Sequence, residues 1–379
     1  NATTIANNIS GNGSVSILEN GTSTSKGAAV TFTGTNTYTG RTYLGNHTTL
    51  QLGNGGTTGS LASDSYIGIA YGATLKLNRS DDVTLANYVY NNGSHGVGHD
   101  SGRWQNNVIQ AGTGTTTLSN ASNNWRGTAT INEGTLKFTG AVGNSENYII
   151  NNGKSLLFDS NSNQDFNNLS GTGTFTKSGT GTLTLNDSRN GNYTGATTID
   201  SGATLQLNYG ALGGDITNNG TLFFYNPQTI NYAGVISGTG ALRQDYGALY
   251  LTGANTYAST TTINSGTLRI GNNGTTGSIN SASNVAINSS SLELYRSNAT
   301  TIANNISGTG SVSILENGTS TAKGAAVTFT GANTYTGTTY INNHATLQLG
   351  NGGTTGSLAS GSNIAIGYGA TLKSNRSDD

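Results

Sequence analysis

Cysteine and methionine are absent from the 379 residues, and proline occurs once, at Pro227. Without cysteine the chain has no disulfide, no thiolate nucleophile and no thiolate-bound zinc. Charge is scarce as well. Asp, Glu, Lys and Arg make up 9% of the residues, against about a quarter in an ordinary domain. They nearly cancel, leaving a formal net charge of −1. So balanced a chain offers no electrostatic footprint for nucleic acid or for an anionic membrane. There is no run of apolar residues long enough for a membrane-spanning helix, and no leader-like start. The sequence opens at Asn1 inside a phrase that recurs at Asn298, and stops at Asp379 in mid-pattern. It reads as a segment of a longer protein, with its targeting signals elsewhere.

What the chain does contain is repetition. Residues 1–82 and 298–379 match at 70 of 82 positions, an offset of 297. Within that large repeat lies a smaller one. The phrase TIANNISG from Thr4 returns in altered form from Thr84, Gln164, Thr229 and Thr301, dividing the chain into units near 1–83, 84–163, 164–228, 229–300 and 301–379. Each unit then carries an N-x-Y-T-G-like phrase: NTYTG at Asn36, NNWRG at Asn123, NGNYTG at Asn190, NTYAS at Asn255 and NTYTG at Asn333. Such internal similarity points to a solenoid, with residues 1–379 as one continuous repeat segment.

The apolar residues choose strand over helix. They recur at i, i+2, as in Leu50/Leu52, Leu136/Phe138, Leu205/Leu207, Leu268/Ile270 and Leu347/Leu349, which is the period of a strand with one inward face. Asn-Gly pairs, tolerant of left-handed backbone, punctuate these triplets. The pairs alone also suit antiparallel hairpins, but strands this short in a fixed order favour winding. The expected fold is therefore all-β: a parallel β-helix with rungs of about 20–25 residues, some 17 rungs stacked about 4.8 Å apart. Leu50, Leu52, Leu205, Leu207, Leu347 and Leu349 are expected inside, with Gln51, Gln206 and Gln348 outside.

The phrases TGANTYTGTTYINN, GTGTLTLNDSRNGNYTGATTIDSGATLQL (Gly179–Leu207) and TGANTYASTTTINSGTLRI resemble the autotransporter-associated β-strand repeat of bacterial type V secretion passengers. The resemblance runs over the whole chain and is weakest at NNWRGTATINEGTLKF. It implies a right-handed parallel β-helix exported to the cell surface, and it brings no catalytic residues with it.

Chemistry-bearing residues are few. His47 and His344 occupy the same repeat position, in turns before the TLQL and ATLQL strands. His95, His99 and Asp100 lie in NNGSHGVGHDSGRW, where the unit carries extra residues. Imidazole and carboxylate are transition-metal ligands, so these three are the metal candidates. Their four-residue spacing suits a helix, whereas the stretch is a glycine-rich loop with no third histidine, so Gly93–Arg103 reads as a lateral insertion and no cofactor is expected. Acids are scattered, without the paired carboxylates a glycosidase needs, and Asp81-Asp82 are adjacent. The T-x-T steps of an ice-binding face occur too irregularly to form one. The sequence thus reads as a non-catalytic rod or fibre segment of an extracellular or cell-surface bacterial protein, self-associating end to end or continuing in the same chain. The alternative is an adhesin whose lateral faces meet a glycan or a host surface, with Tyr38, Tyr43, Tyr66, Tyr71 and Trp104 as contacts.

Overall fold

A strand of three or four residues is too short to stand alone, and here every paired strand lies beside one from a neighbouring rung. In the computed structural model, which describes residues 2–18, 27–92, 106–186, 192–210, 212–315 and 326–378, all strand pairs are parallel. The described residues contain no α-helix. The antiparallel hairpins that the Asn-Gly pairs alone would also allow are absent among them. The parallel ladders wind as a β-solenoid of about 15 turns. The chain forms two compact units, Asn1–Ala196 and Thr197–Asp379.

In the first unit the period-2 pattern becomes columns of stacked side chains. Strands Ala29–Phe32, Thr49–Leu52, Thr74–Leu77, Asn107–Gln110 and Arg126–Ile131 follow one another in register, so Val30, Leu50, Leu75, Val108 and Ala129 form one inward column. A second ladder stacks Leu118, Phe138 and Phe158. Around these lies a cluster of rings. Phe138 and Phe158 stack at 5.0 Å, Phe158 and Phe166 at 5.1 Å, and Tyr148 meets Phe166 edge-on at 5.0 Å. Residues Gly93–Arg103, read above as an insertion, lie outside the described residues. The ladder closes across them, since Leu75 pairs with Val108.

The second unit is built the same way, with two long strands bent round a corner. Thr221–Tyr232 and Ala241–Leu251 pair along both their arms, with the register shifting in between. One arm passes its column from Leu242 to Thr261, Val285 and Ile306. The other passes it from Leu249 to Leu268, Leu292 and Val312.

Leu50, Leu52, Leu205, Leu207 and Leu347 are buried as the spacing requires. Leu349 is not: it is half-buried. Its counterpart Leu52 is covered by Leu77, whereas Leu349 faces Ser374, where the second copy has lost a leucine. Gln51, Gln206 and Gln348 take the outward positions, with Gln51 and Gln348 donating to the carbonyls of Gly53 and Gly350 at 2.7 and 2.9 Å.

The apolar triplet also has polar variants that simple periodicity overlooks. Gln110 and Gln244 occupy inward ends of strands and are buried, yet their amides donate to corner carbonyls: Gly112 and Gly114 for one, Tyr246 and Gly247 for the other. Lys177 stands in the column above Phe158, 1% exposed, and its ammonium donates to the carbonyls of Gly179 at 2.8 Å and of Ser178. A buried charge survives when its donors are met.

Leu205→Ala should cost about 2–5 kcal/mol, because the vacated column position leaves a cavity between two rungs. The outward neighbour change Gln206→Ala should cost less than about 1 kcal/mol. Denaturant unfolding of the two variants checks the inside–outside assignment, and equal losses would refute it.

Candidate functional site

The N-x-Y phrase is the most repeated text in the chain, so its side chains come first. Asn36, Asn255 and Asn333 are nearly fully buried. Each joins three strands of backbone. The Asn36 carbonyl oxygen accepts from the Ile9 N–H at 3.1 Å, one rung back. Its amide donates to the carbonyls of Gly34 at 3.3 Å and of Ser60, one rung on, at 3.0 Å. Asn255 makes the same set with Ile236, Gly253 and Ser278, and Asn333 with Ile306, Gly331 and Ser357. The amide offers one acceptor and two donors, and this corner uses all three. Asn123 keeps part of the pattern, accepting from Val89 at 3.0 Å and donating to Ala141 at 3.3 Å.

Two residues on, the aromatic ring turns inward. Tyr38, Trp125, Tyr193, Tyr257 and Tyr335 are all buried. In three of them the hydroxyl meets the threonine four residues later, Thr42, Thr261 and Thr339, at 2.6 Å each. Tyr38, expected as a surface contact, is therefore a core residue. Burial raises the Tyr38 phenol above its ordinary range and pushes Tyr257 and Tyr335 up to about 12, against the opposing pull of their hydroxyl partners. Glycine closes the phrase for a steric reason. A Cβ at Gly40 or Gly337 would lie 2.1 Å from the carbonyl oxygen of Gly13 or Gly310 on the rung before.

The other tyrosines expected as contacts, Tyr43, Tyr66 and Tyr71, lie at outward positions. Tyr43 and Tyr66 share one sheet, on neighbouring strands Thr42–Leu44 and Tyr66–Ile69. Tyr71 stands at a corner, its ring edge-on to His47 at 5.5 Å. The second copy repeats that contact between Tyr368 and His344 at 5.7 Å. Both histidines have left-handed backbone, φ 58° and 59°, which accounts for a turn position better than for a ligand. His95, His99, Asp100 and Trp104 lie outside the described residues. Among the described residues no three His, Cys, Asp or Glu side chains gather as metal ligands.

Six of the described carboxylates pair with cations. Lys154 meets Glu133 at 2.5 Å, Lys137 meets Asp159 at 2.8 Å, Arg269 meets Glu293 at 2.7 Å, and Arg243 meets Asp245. Arg79 meets Asp81 at 2.6 Å, and the second copy repeats this between Arg376 and Asp378. The hydrogen bond from arginine holds Asp81 and Asp378 below the usual carboxylate range. Asp82 instead accepts the Thr115 N–H at 2.8 Å. A cavity of about 230 Å³ opens beside Arg79, lined by Leu52, Leu61, Leu77 and Leu85. Its one charged group, Arg79, is already engaged.

Polar residues that elsewhere would face a substrate are here engaged with their own corner or with a neighbouring rung. This defines a parallel β-solenoid repeat protein whose signature residues hold rung to rung. Four stretches, residues 108–138, 175–207, 244–270 and 324–349, match the passenger-associated-transport-repeat family, and the chain carries this repeat. Each of the four contains one of the inward aromatic corners, at Trp125, Tyr193, Tyr257 and Tyr335. The match agrees with the autotransporter-passenger resemblance of the repeated phrases. No curated protein and no solved structure matches the chain.

Asn333→Ala should cost about 1–3 kcal/mol, because it strands the Ile306 N–H and takes one donor each from the Gly331 and Ser357 carbonyls in a dry corner. Thermal unfolding checks it, and a variant as stable as the parent would show that the amide is replaceable. A second outcome concerns pH. Tyr257 and Tyr335 hold their protons in the folded state beyond the ordinary value of 10.0. The native state therefore binds more protons above pH 10, so stability is full below that pH and falls as pH rises towards 12. Phenolate absorbance should show these tyrosines ionising only as the fold is lost. Free titration near the ordinary value in a folded protein would contradict their burial.

Proposed function

We propose that the chain is a stretch of the passenger region of an exported bacterial surface protein, and that it acts as a non-catalytic structural rod. The observation that carries this reading is the use made of the repeated phrase. Its asparagine bonds to the rungs on either side, its glycine lets neighbouring corners approach, and its tyrosine ring fills the core and ties down its own corner, so what is repeated is cohesion along the stack. The ion pairs of six carboxylates with arginine and lysine also favour it, since they take those acids out of the pair that a glycan-cleaving enzyme must turn on one bond. The solenoid fold by itself would permit an enzyme. The passenger repeat speaks for export, and through it for a place at the cell surface. Further copies of the same phrase, in one long chain or in stacked partners, would extend the rod by the same contacts.

Protease treatment of intact cells that produce the full-length parent protein tests the location. Antibody signal against this segment should disappear from cells whose cytoplasmic markers survive. The purified segment should release no reducing ends from uronate, glucan or chitin polymers. Retention of the signal inside protected cells, or turnover of any of these polymers, would overturn the respective half of the proposal.

A further inference from the structure

Two near-identical stretches in one chain separate what the solenoid needs from what it tolerates. The strand pairing of Thr42, Tyr43 and Leu44 with Ile67, Gly68 and Ile69 recurs, residue for residue, as Thr339, Tyr340 and Ile341 with Ile364, Ala365 and Ile366. The inward positions stay threonine, leucine or isoleucine. The outward face does not stay the same. Arg41 becomes Thr338, Tyr66 becomes Asn363 and Gly68 becomes Ala365. The ladder forms in both copies, so it does not demand the first copy's outward residues.

Those residues build a continuous surface. Strand Tyr88–Asn91 lies beside Tyr66–Ile69, setting Tyr88 next to Tyr66 and Tyr90 next to Gly68. Tyr66, 47% exposed, meets Tyr88 edge-on at 5.8 Å, and Tyr88 stacks on Tyr90 at 5.2 Å. Gly68 is the gap into which Tyr90 leans. A Cβ there would lie 2.8 Å from the Tyr90 hydroxyl oxygen and 2.9 Å from its Cζ. Ala365 would fill that gap. Tyr43 flanks Gly68 on its other side. Arg41 precedes Thr42 as Tyr66 precedes Ile67, so the two sit side by side on strands about 4.8 Å apart. Arg41 is exposed, and no carboxylate among the described residues pairs with it.

The geometry points to a carbohydrate-binding face at Arg41, Tyr43, Tyr66, Gly68, Tyr88 and Tyr90 that takes an acidic oligosaccharide. The tyrosine rings offer rigid, flat, amphipathic area to the C–H face of a sugar, with their hydroxyls for its polar edge. The unpaired guanidinium presents a planar fork to a carboxylate or sulfate on the same chain. A protein partner is less well served. Hot spots of protein interfaces sit in enclosed, desolvated pockets, whereas this outward face is open, with the small Ser16 continuing the column beyond Tyr43. The site goes beyond the rod: the second copy forms the same ladder without the counterparts of Arg41, Tyr66 and Gly68.

The second copy also supplies the control. Arg41→Thr and Tyr66→Asn install residues that the same pairing already accommodates at 338 and 363, while Gly68→Ala closes the gap by pushing the end of the Tyr90 ring aside, so the variant should stay folded with only a small loss of stability. Calorimetric titration with a uronic-acid hexasaccharide, a sialylated oligosaccharide and a heparin-derived hexasaccharide, against a neutral glucan hexamer, measures the site. At least one acidic probe should bind tenfold more tightly than the neutral one, with the preference fading as salt rises. The triple variant should lose at least tenfold in affinity, and Arg41→Thr alone should remove the preference for acid while leaving the weaker neutral binding. Should the triple variant misfold, Tyr66→Asn alone, at an exposed ring edge, carries the same expectation. Failure of every acidic probe to exceed the glucan overturns the proposal. So does undiminished binding by the folded triple variant, or recognition of this face by a protein in place of any sugar.

Discussion

A strand in a solenoid has no partner within its own rung. Every backbone N–H and C=O along its edges must be satisfied by the rung before or the rung after, and a buried group left over costs as much as the hydrogen bond it lacks. The rest of the structure follows from that constraint. Strands can be three residues long because each is held by two neighbours. Corners must pass close to the corner below, which is why glycine closes the phrase at Gly40 and Gly337. Where the ladder lapses at a corner, asparagine substitutes for it. Asn36, Asn255 and Asn333 accept from one neighbouring rung and donate to the other, doing with a side chain what the strands do with backbone.

The strands, their parallel stacking and their inward faces were legible because period 2 is a property of the backbone and shows wherever one face is apolar. Leu50, Leu75 and Val108 announce themselves by spacing alone. Three things were not legible, each for a physical reason. Gln110, Gln244 and Lys177 look like outward residues, since their burial depends on carbonyls that only the folded corner brings together. Tyr38 looks like a surface tyrosine, since nothing in N-T-Y-T-G says that its hydroxyl will find Thr42 four residues later. Leu349 looks like Leu52, and differs only through Ser374 across the ladder, 25 positions away in sequence. Of the surface tyrosines, Tyr43 and Tyr66 were found by sequence. Tyr88 and Tyr90 were missed because they belong to a different phrase and join the face only through strand pairing.

The division between cohesion and display runs through the whole chain. Inward residues, corner amides and close-contact glycines repeat because each rung must fit the one beneath it. Outward residues are free to differ, and in the first copy they differ towards rings and an unpaired guanidinium. Cation–aromatic contacts also occur on the second unit, where Arg269 lies 3.9 Å from the Tyr250 ring. There, however, Glu293 neutralises the charge at 2.7 Å, so that stack is closed on itself and serves the ladder.

The near-identity of residues 1–82 and 298–379 carries a hazard for folding. A strand such as TLQL fits any rung that offers the same apolar pair, so a nascent chain can stack a phrase on the wrong copy at little local penalty, the misassembly to which repeat proteins are prone. The irregular columns then act as register marks. The block of rings from Phe138 to Phe175 fits its own neighbours only, and a slip by one rung would set an aliphatic chain against a ring. The departures from the repeat are what make its correct alignment unique.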